Sequence, residues 1–280
     1  MTKIFHTHLS STHSTNSQLI ERICQNFEQR NNLFDYRQPH LLTADTQTGG
    51  RGQHGRIWQS PIGNVYLSLY LPSAEFSDNT DDVLKQRLDG RLSLCVGYQL
   101  SQIPVIASLQ TIGVKWVNDI GFYQDVDAKQ QFQKLAGILI EPVTIEGKLL
   151  GVVIGVGMNI GFAPTLTTHT QAGLNYQAFC LQDVSQEKLH VYEFYLPIQT
   201  AILQAVEQFN GFNASCKVAE FVQKFSQVDI LLGKNLQITL PTSEIIMGKA
   251  QGIDGNGSLQ ILQNDGTMAR VWTGTLQVIG

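Results

Sequence analysis

Runs of apolar, β-branched and aromatic residues bounded by turn residues recur along the chain and predict strands. The strands predicted in the first part are Lys3–Leu9, His40–Gln47, Val65–Leu71, Thr111–Tyr123, Lys134–Val143 and Lys148–Gly161. The last two are joined by a glycine-containing turn at Ile145–Lys148, which predicts a β-hairpin. The polar stretch Gln124–Gln133 is predicted to be a loop.

Apolar residues spaced three and four positions apart predict helices between these strands. In His13–Asn31, such an apolar face is preceded by Thr15 and Gln18, which have the pattern of a capping box. The other predicted helices are Asp81–Gln102, Gln186–Phe212 and Lys217–Val228, the second of them interrupted by Pro197.

The pattern changes near Asp229. From there, short alternating runs are separated by Gly, Asn and Asp turns, which is typical of a small β-barrel of SH3-like size. We therefore predict a domain of mixed helices and strands over residues 1–228 and an all-β domain over residues 229–280.

Composition narrows the class of protein. A hydrophobic content of 42% supports a large core, and the net charge of −4 gives no support to a basic nucleic-acid-binding face. The cysteines form no C-x-x-C pair, and Cys24 and Cys95 lie on apolar helical faces, which predicts buried thiols in a reducing cytosol. No signal peptide is apparent, and the most apolar run, Leu149–Ala163, is too short and glycine-rich to span a membrane. We predict a cytoplasmic protein.

The segment Thr48–Trp58, TGGRGQHGRIW, concentrates glycine and positive charge. Gly50–Gly55 matches G-x-G-x-x-G, but a strand rather than a helix follows, which disfavours a Rossmann oxidoreductase. The glycines let backbone N–H groups approach an anion, and Arg51 and Arg56 can clamp phosphate or carboxylate. A basic surface loop without a ligand is the alternative.

Three further stretches interrupt apolar strands. In VKWVNDIG, Asn118 and Asp119 suit Mg²⁺, although a simple Asn-Asp turn is more common. Lys134, before a buried strand, can pair with a carboxylate and then a phosphate, or be an ordinary solvated lysine. Gly155 and Gly157 expose backbone against which a flat apolar ligand can pack, unless they form a β-bulge.

The order of these stretches resembles the biotin protein ligase family. The matching elements are STN (Ser14–Asn16), TQTGGRGQHGRIW, VKWVNDI, KLAGILIE, GVGMNI and a C-terminal pattern at Gly252–Gly266. Together they cover nearly the whole chain. The resemblance implies an α+β fold, with a central mixed or antiparallel sheet and flanking helices as in class II aminoacyl-tRNA synthetases, followed by an SH3-like β-barrel.

The resemblance also implies an ATP-dependent ligase. It would join biotin to AMP, release pyrophosphate, and hold biotinyl-5′-AMP until a lysine of a biotin carboxyl carrier protein attacks it. Mg²⁺ and positive side chains would offset repulsion between the anionic reactants. Two alternatives stay open: a lipoate or octanoyl transferase of related fold, and a non-catalytic module that binds biotin or a nucleotide.

Site residues follow from the resemblance by matching positions. The expected biotin-binding residues are Ser14, Thr15, Asn16, Gln47, Gly50, Arg51, Gly52, Gln53, Lys134, Gly137, Gly155 and Gly157. The expected ATP-binding residues are Arg51, Arg56, Trp58, Lys115, Asn118, Asp119, Lys134 and Asn159. The expected catalytic residues are Arg51, Lys134 and Asp119. Asp119 is also the expected Mg²⁺ ligand, and we expect it to orient the acceptor amine and help to take its proton.

Several departures from the family pattern change what is expected. Gln53 and His54 replace a basic pair, which predicts weaker retention of the adenylate, and Val117 replaces a proline. About thirteen residues precede Ser14, too few for the winged-helix domain of repressor-type members, which predicts no operator binding. The expected form is a monomer or a homodimer.

Overall fold

A computed structural model describes residues 3–29, 34–127, 129–165 and 176–279 of the chain. The strands of its larger sheet are β1 (Phe5–Leu9), β2 (His40–Ala44), β3 (Val65–Pro72), β4 (Gly113–Lys115), β5 (Asp119–Val126), β6 (Lys129–Ile145), β7 (Lys148–Met158) and β8 (Tyr176–Ala178). They lie in the order β1-β2-β3-β7-β6-β5-β4, with β8 beside β6. β1 is parallel to β2 and β8 to β6, whereas the other pairs are antiparallel, so the predicted mixed sheet is confirmed.

Helices cover both faces of this sheet. They are α1 (Thr15–Gln29), α2 (Arg91–Ser101), α3 (Pro104–Ala107), α4 (Tyr195–Asn210) and α5 (Ser215–Phe225). Leu19 and Ile23 of α1 are fully buried against Leu42, Tyr70 and Val153 of the sheet, as their helical spacing predicts. The apolar faces of α2 and α4 contribute to the larger core on the other side. Arg30 and Asn31, the predicted end of the first helix, lie outside the described residues.

The predicted boundaries of three helices are wrong. Asp81–Gly90 is not helical, because Leu84 exchanges backbone hydrogen bonds with Pro72 and Ala74 and extends the edge of β3. The helix predicted from Gln186 begins at Tyr195, which places Pro197 in the first turn, where its missing N–H costs nothing. The last predicted helix, Lys217–Val228, spans Ser215–Phe225.

The predicted capping box at the first helix is also wrong. The Oγ of Ser14 accepts a hydrogen bond from the Ser17 N–H at 3.4 Å, so Ser14 is the capping residue. Thr15 instead directs both its N–H and its hydroxyl towards the side chain of Gln47. Thr15, which was predicted to cap the helix, therefore makes a long-range contact with Gln47 instead.

Two strand predictions need correction. Thr111–Tyr123 is not one strand, because Lys115 pairs with Asp119 across a tight turn between β4 and β5. The predicted loop Gln124–Gln133 is instead the tip of a β5–β6 hairpin, in which the side chain of Phe132 is buried. Its turn includes Asp127 at a φ of 50°. The exposed ends of the two strands consist mainly of polar residues, which is why this segment was predicted to be a loop. The predicted hairpin at Ile145–Lys148 is confirmed.

The C-terminal segment forms a separate antiparallel sheet. Its strands are β9 (Asn235–Thr239), β10 (Ile245–Ile253), β11 (Leu259–Leu262), β12 (Met268–Val271) and β13 (Thr275–Val278), in the order β12-β11-β10-β9-β13. The turn between β10 and β11 contacts the larger sheet: the Trp116 indole N–H donates to the Gly257 carbonyl at 3.0 Å. Trp116 lies in the β4–β5 turn, so the small sheet directly supports that turn.

Among the described residues, no helix combines the length and the apolar character needed to cross a bilayer. Their cysteines are all free; Cys95 and Cys180 are buried, Cys24 is partly buried and Cys216 is exposed. The prediction of buried thiols, which rested on Cys24 and Cys95, is confirmed for Cys95, whereas Cys24 is only partly buried.

Candidate functional site

Most of the predicted site residues line one cleft. Its lining includes Ser14, Thr15, Asn16, Gln47, Arg51, Gly52, Gln53, Arg56, Trp58, Asn118, Asp119, Lys134, Gly137, Gly155 and Gly157. These residues come from the N-terminus of α1, the loop between β2 and β3, the β4–β5 turn, and the middle of β6 and β7. Positions far apart in sequence are therefore brought to one face of the larger sheet.

Trp58 covers the bare backbone of two paired glycines on the cleft floor. Gly137 of β6 and Gly157 of β7 are opposite each other. A Cβ added at Gly157 would lie 2.5 Å from Cε2 of the indole, and one added at Gly137 would lie 3.1 Å from Cζ3. A flat apolar ligand was expected to pack on Gly155 and Gly157, whereas at Gly157 the packing partner is the protein's own tryptophan. The Trp58 indole N–H is buried and has no hydrogen-bond partner among the described residues.

Asn16 occupies the space above Gly155 in the same way. A Cβ added at Gly155 would lie 2.1 Å from Asn16 Oδ1, so no other residue fits at that position without displacing the amide. The Asn16 amide donates to the Leu139 carbonyl and to Glu141 Oε2, and its oxygen accepts from the Ser68 hydroxyl at 2.5 Å. The N-terminus of α1 is thereby fixed against the sheet.

A second group of hydrogen bonds fixes the neighbouring polar wall. The N–H of Thr15 donates to Gln47 Oε1 at 2.8 Å, and the Gln47 amide donates to the Ser60 hydroxyl at 2.9 Å. The Ser68 hydroxyl also lies 2.8 Å from Thr15 Oγ1. Uncharged donors and acceptors are therefore held in defined positions at this end of the cleft.

The glycine-rich segment forms a small hairpin over the cleft. The N–H of Gly52 donates to the Arg56 carbonyl at 2.7 Å, and the N–H of Trp58 donates to the Gly50 carbonyl at 2.9 Å. At its tip, His54 has a φ of 57°, a left-handed conformation. The hairpin holds Arg51 and Arg56 at the cleft, and the guanidinium of Arg51 is paired with Glu141 at 2.8 Å.

The charged end of the site is a chain of four side chains. Lys134 Nζ lies 2.6 Å from Asp119 Oδ1, and the Tyr176 hydroxyl lies 3.3 Å from Asp119 Oδ2. The Lys115 ammonium donates to the same hydroxyl. Lys115 and Asp119 are only 4% and 5% exposed, so their charges are compensated mainly by one another and by Lys134.

Burial and pairing shift the pKa values in this chain. Burial lowers the pKa of Lys115 to about 8, although the charge of Asp119 opposes the shift. Burial acts to raise the pKa of Asp119, but Lys134 and Lys115 outweigh it and leave that pKa below its usual value. Burial raises the pKa of Tyr176 well above its usual range, so its hydroxyl stays protonated. Asp119 is consequently a carboxylate between two cationic groups.

Three predicted residues lie outside this cleft. Gly50 is part of the hairpin, where a Cβ would come 2.4 Å from the Trp58 carbonyl oxygen. Lys115 lines a neighbouring cavity that also contains Arg56, Asn118 and Asp119. Asn159 is 2% exposed, and its amide donates to the carbonyls of Lys134 and Phe179, so its contacts here are structural.

Sequence reasoning missed Glu141, Ser68 and Tyr176. Ser68 and Tyr176 are single polar residues within a strand, without a motif around them, and Glu141 is the last residue of KLAGILIE, to which no role was assigned. Glu141 of β6 joins Asn16 to Arg51, and Tyr176 of β8 joins Lys115 to Asp119. A polar residue at an inward position of an otherwise apolar strand was the available signal for Glu141 and Ser68.

The predicted Mg²⁺ site has few protein ligands. Within the described residues, no group of three His, Cys, Asp or Glu side chains is placed to share a metal ion. Asp119 supplies the carboxylate in the cleft lining. Lys134 lies beside one of its oxygens and the Tyr176 hydroxyl beside the other. This arrangement fits an ion held mostly by substrate phosphates and water, as is usual for Mg²⁺, rather than by a protein cage.

Comparison with known proteins agrees with this architecture. The chain matches the family model of the biotin/lipoate A/B protein ligase family over residues 11–159 and that of the biotin protein ligase C-terminal domain over residues 231–278. It is 26% identical over 275 residues to the bifunctional ligase/repressor BirA of Escherichia coli, covering 93% of this chain and 70% of that protein. It is 28% identical over 225 residues to the biotin–[acetyl-CoA-carboxylase] ligase of Mycobacterium tuberculosis, covering 78% and 71%.

A solved structure shares the whole fold. The biotin protein ligase from Aquifex aeolicus in complex with biotin and ATP superimposes with a TM-score of 0.71 at 22% identity, covering 98% of this chain and 99% of that one. The family-model match extends over more than half of the chain and contains every residue that lines the cleft. This chain therefore belongs to the biotin/lipoate A/B protein ligase family.

Proposed function

We propose that the chain is an ATP-dependent biotin protein ligase, which activates biotin as biotinyl-5′-AMP and transfers it to a lysine of a biotin carboxyl carrier protein. The observation that supports this most directly is the division of one cleft into two chemical ends. Fixed uncharged groups of Thr15 and Gln47 suit the ureido ring of biotin, whereas Arg51, Arg56 and Lys134 suit a carboxylate and phosphates.

In the first half-reaction, a carboxylate oxygen of biotin attacks the α-phosphorus of ATP. A new P–O bond forms, the bond from the α-phosphorus to the oxygen that bridges to the β-phosphate breaks, and pyrophosphate leaves. Both reactants are anions, so positive groups held in place before reaction stabilise the transition state. Arg51 and Lys134 lie at the same cleft and fill this role, with Arg56 on the departing phosphates.

One uncharged feature of the cleft favours the same ligands. The unpaired indole N–H of Trp58 is a donor available to a ligand oxygen, which would remove the cost of leaving it buried and unpaired.

Mg²⁺, when bound with the triphosphate and Asp119, would supply further positive charge against the phosphate oxygens. The remaining contacts are hydrogen bonds and packing from the chain itself.

In the second half-reaction, the acceptor amine attacks the acyl carbon of the anhydride, an amide bond forms and AMP leaves. The amine must lose a proton to become a nucleophile. Asp119 is deprotonated, as its lowered pKa requires, and one of its oxygens faces Lys134 in the cleft. Its negative charge suits it to orient the acceptor ammonium, and we propose that it also helps in removing the proton.

The proposal also includes the acceptor proteins, the cellular location and a domain boundary. The carriers of acetyl-CoA carboxylase or related carboxylases are the proposed acceptors, and the cytoplasm is the proposed location. A domain boundary near residue 228 is supported by the separate family-model matches ending at 159 and beginning at 231. The assignment of individual residues to biotin and ATP remains a prediction, as do the monomeric or dimeric state and the lack of operator binding.

Pyrophosphate exchange tests the proposal. We expect exchange of labelled pyrophosphate into ATP that depends on biotin, and its loss by at least about a hundredfold in Lys134→Met. Lys129→Met is the matched control, because Lys129 is an exposed lysine at the start of the same strand. Exchange with lipoate but not biotin would instead identify a lipoate ligase, and biotin binding without exchange would identify a binding module.

A further inference from the structure

Tyr176 contacts two charged residues of the site, and the proposed reaction gives it no role. Its ring packs edge-on against Phe132, with centroids 5.1 Å apart, and β8 pairs with β6 beside it. Its hydroxyl lies between the buried Lys115 ammonium and Asp119 Oδ2, whereas Lys134 approaches the other carboxylate oxygen. The phenol therefore contacts both charged residues of the β4–β5 turn that face the cleft and its neighbouring cavity.

The direction of these hydrogen bonds follows from the groups themselves. An ammonium can only donate, so the phenol oxygen accepts from Lys115, and the single phenol proton is left for Asp119. The phenol thus donates to Asp119 Oδ2, whereas Oδ1 forms an ion pair with the Lys134 ammonium. Without the hydroxyl, Asp119 Oδ2 would have no phenol donor, and the carboxylate could turn both oxygens towards Lys134 and hold that ammonium away from a substrate.

We propose that Tyr176 is a positioning residue, whose hydroxyl orients Asp119 between the two lysines so that Lys134 stays available to the reacting carboxylate and α-phosphate. The inference rests on the proposed ligase activity. It assigns to Tyr176 a role in adenylate formation that operates through Asp119 and Lys115, with no contact between the phenol and the substrates.

The test is pyrophosphate exchange by Tyr176→Phe, which keeps the ring and removes only the hydroxyl. We expect kcat to fall by about tenfold or more, with the KM for biotin within about twofold of the parent value. Tyr123→Phe is the matched control: Tyr123 is a neighbouring tyrosine that also packs on Phe132, and it should keep the parent kcat. Unchanged kcat in Tyr176→Phe, or an equal loss in both variants, would overturn the proposal.

A double-mutant cycle with Lys115→Met separates positioning from a structural role. If the hydroxyl acts through Lys115 and Asp119, Tyr176→Phe should lower kcat only slightly further in the Lys115→Met background. The kcat of the double variant should then lie within about twofold of that of the less active single variant. Additive losses would contradict the proposal, and so would a Tyr176→Phe protein that fails to fold, because the hydroxyl would then be holding the fold. Absence of biotin-dependent exchange in the parent enzyme would refute the proposed function instead.

Discussion

The guanidinium of Arg51 donates to Glu141 at 2.8 Å, so the arginine expected to meet the substrates is already paired with an acid. Arg51 and Glu141 side chains are 39% and 23% exposed, and such pairs contribute under about 1 kcal/mol to folding. In Glu141→Gln we therefore expect a nearly unchanged melting temperature and a KM for ATP lowered about two- to threefold, because Arg51 no longer has a competing carboxylate. Steady-state pyrophosphate exchange measures this.

The control for that prediction is Glu28→Gln. Glu28 is exposed on the outer side of α1, and its neutralisation changes the net charge equally. A raised KM for ATP in Glu141→Gln, with Glu28→Gln unchanged, would mean that the ion pair holds Arg51 in its productive position.

Replacing Gly157 by alanine should displace Trp58. The new Cβ would lie 2.5 Å from the indole, closer than side chains pack, so the ring must leave the floor of the cleft. We expect exchange activity to fall by about tenfold or more, together with a change in tryptophan fluorescence. Gly211→Ala is the control, because Gly211 has a φ of −79° and nothing within 4 Å of its added Cβ. Parent-like exchange by Gly157→Ala would show that Trp58 has no part in binding.

Adenylate formation should decline as the pH rises through about 8. Below the lowered pKa of Lys115, about 8, the ammonium donates to Tyr176 and adds positive charge beside Asp119; above it, that positive charge is lost. The exchange reaction isolates this half-reaction from deprotonation of the acceptor lysine. Lys115→Met should be slower than the parent enzyme below about pH 8, approach the parent rate above it, and lack this decline. An identical alkaline decline in Lys115→Met would assign it to another group.

Restoring a basic residue at position 53 should improve retention of the intermediate. Gln53 lines both the cleft and the adjoining cavity, so a guanidinium there would lie close to the adenylate phosphate. In Gln53→Arg we expect biotinyl-AMP to dissociate several-fold more slowly, because a charge-assisted hydrogen bond is added. Release of labelled intermediate after gel filtration measures the rate. The uncharged variant Gln53→Met should not slow release, and equal rates for Arg and Met would contradict the charge argument.

The local pattern predicted the parts of the structure that depend on short-range periodicity. Leu19 and Ile23 were placed correctly in the core because one amphipathic helix determines both, and the Ile145–Lys148 hairpin was found from its turn. Lys115 and Asp119 were assigned to one continuous strand because the tight turn between them contains no glycine or proline. Their pairing depends on contacts with distant segments, which a single sequence does not reveal.

The site residues were predicted from the order of the motifs, whereas the side-chain contacts between distant segments of the site were not predicted. Tyr176 reaches Asp119 only because β8 returns to lie parallel to β6. Glu141 reaches Arg51 only because the glycine-rich hairpin folds back over β6. Such contacts follow from the tertiary arrangement, since neither a single tyrosine in a strand nor a glutamate at the end of a motif indicates its distant partner.

The hydrogen bond from Trp116 to the Gly257 carbonyl couples the two sheets at a sensitive place. The indole belongs to the same short turn that separates Lys115 from Asp119, and a backbone group of the small sheet fixes its orientation. Limited proteolysis that removes the C-terminal sheet should consequently impair activation of the vitamin itself, before any carrier is engaged.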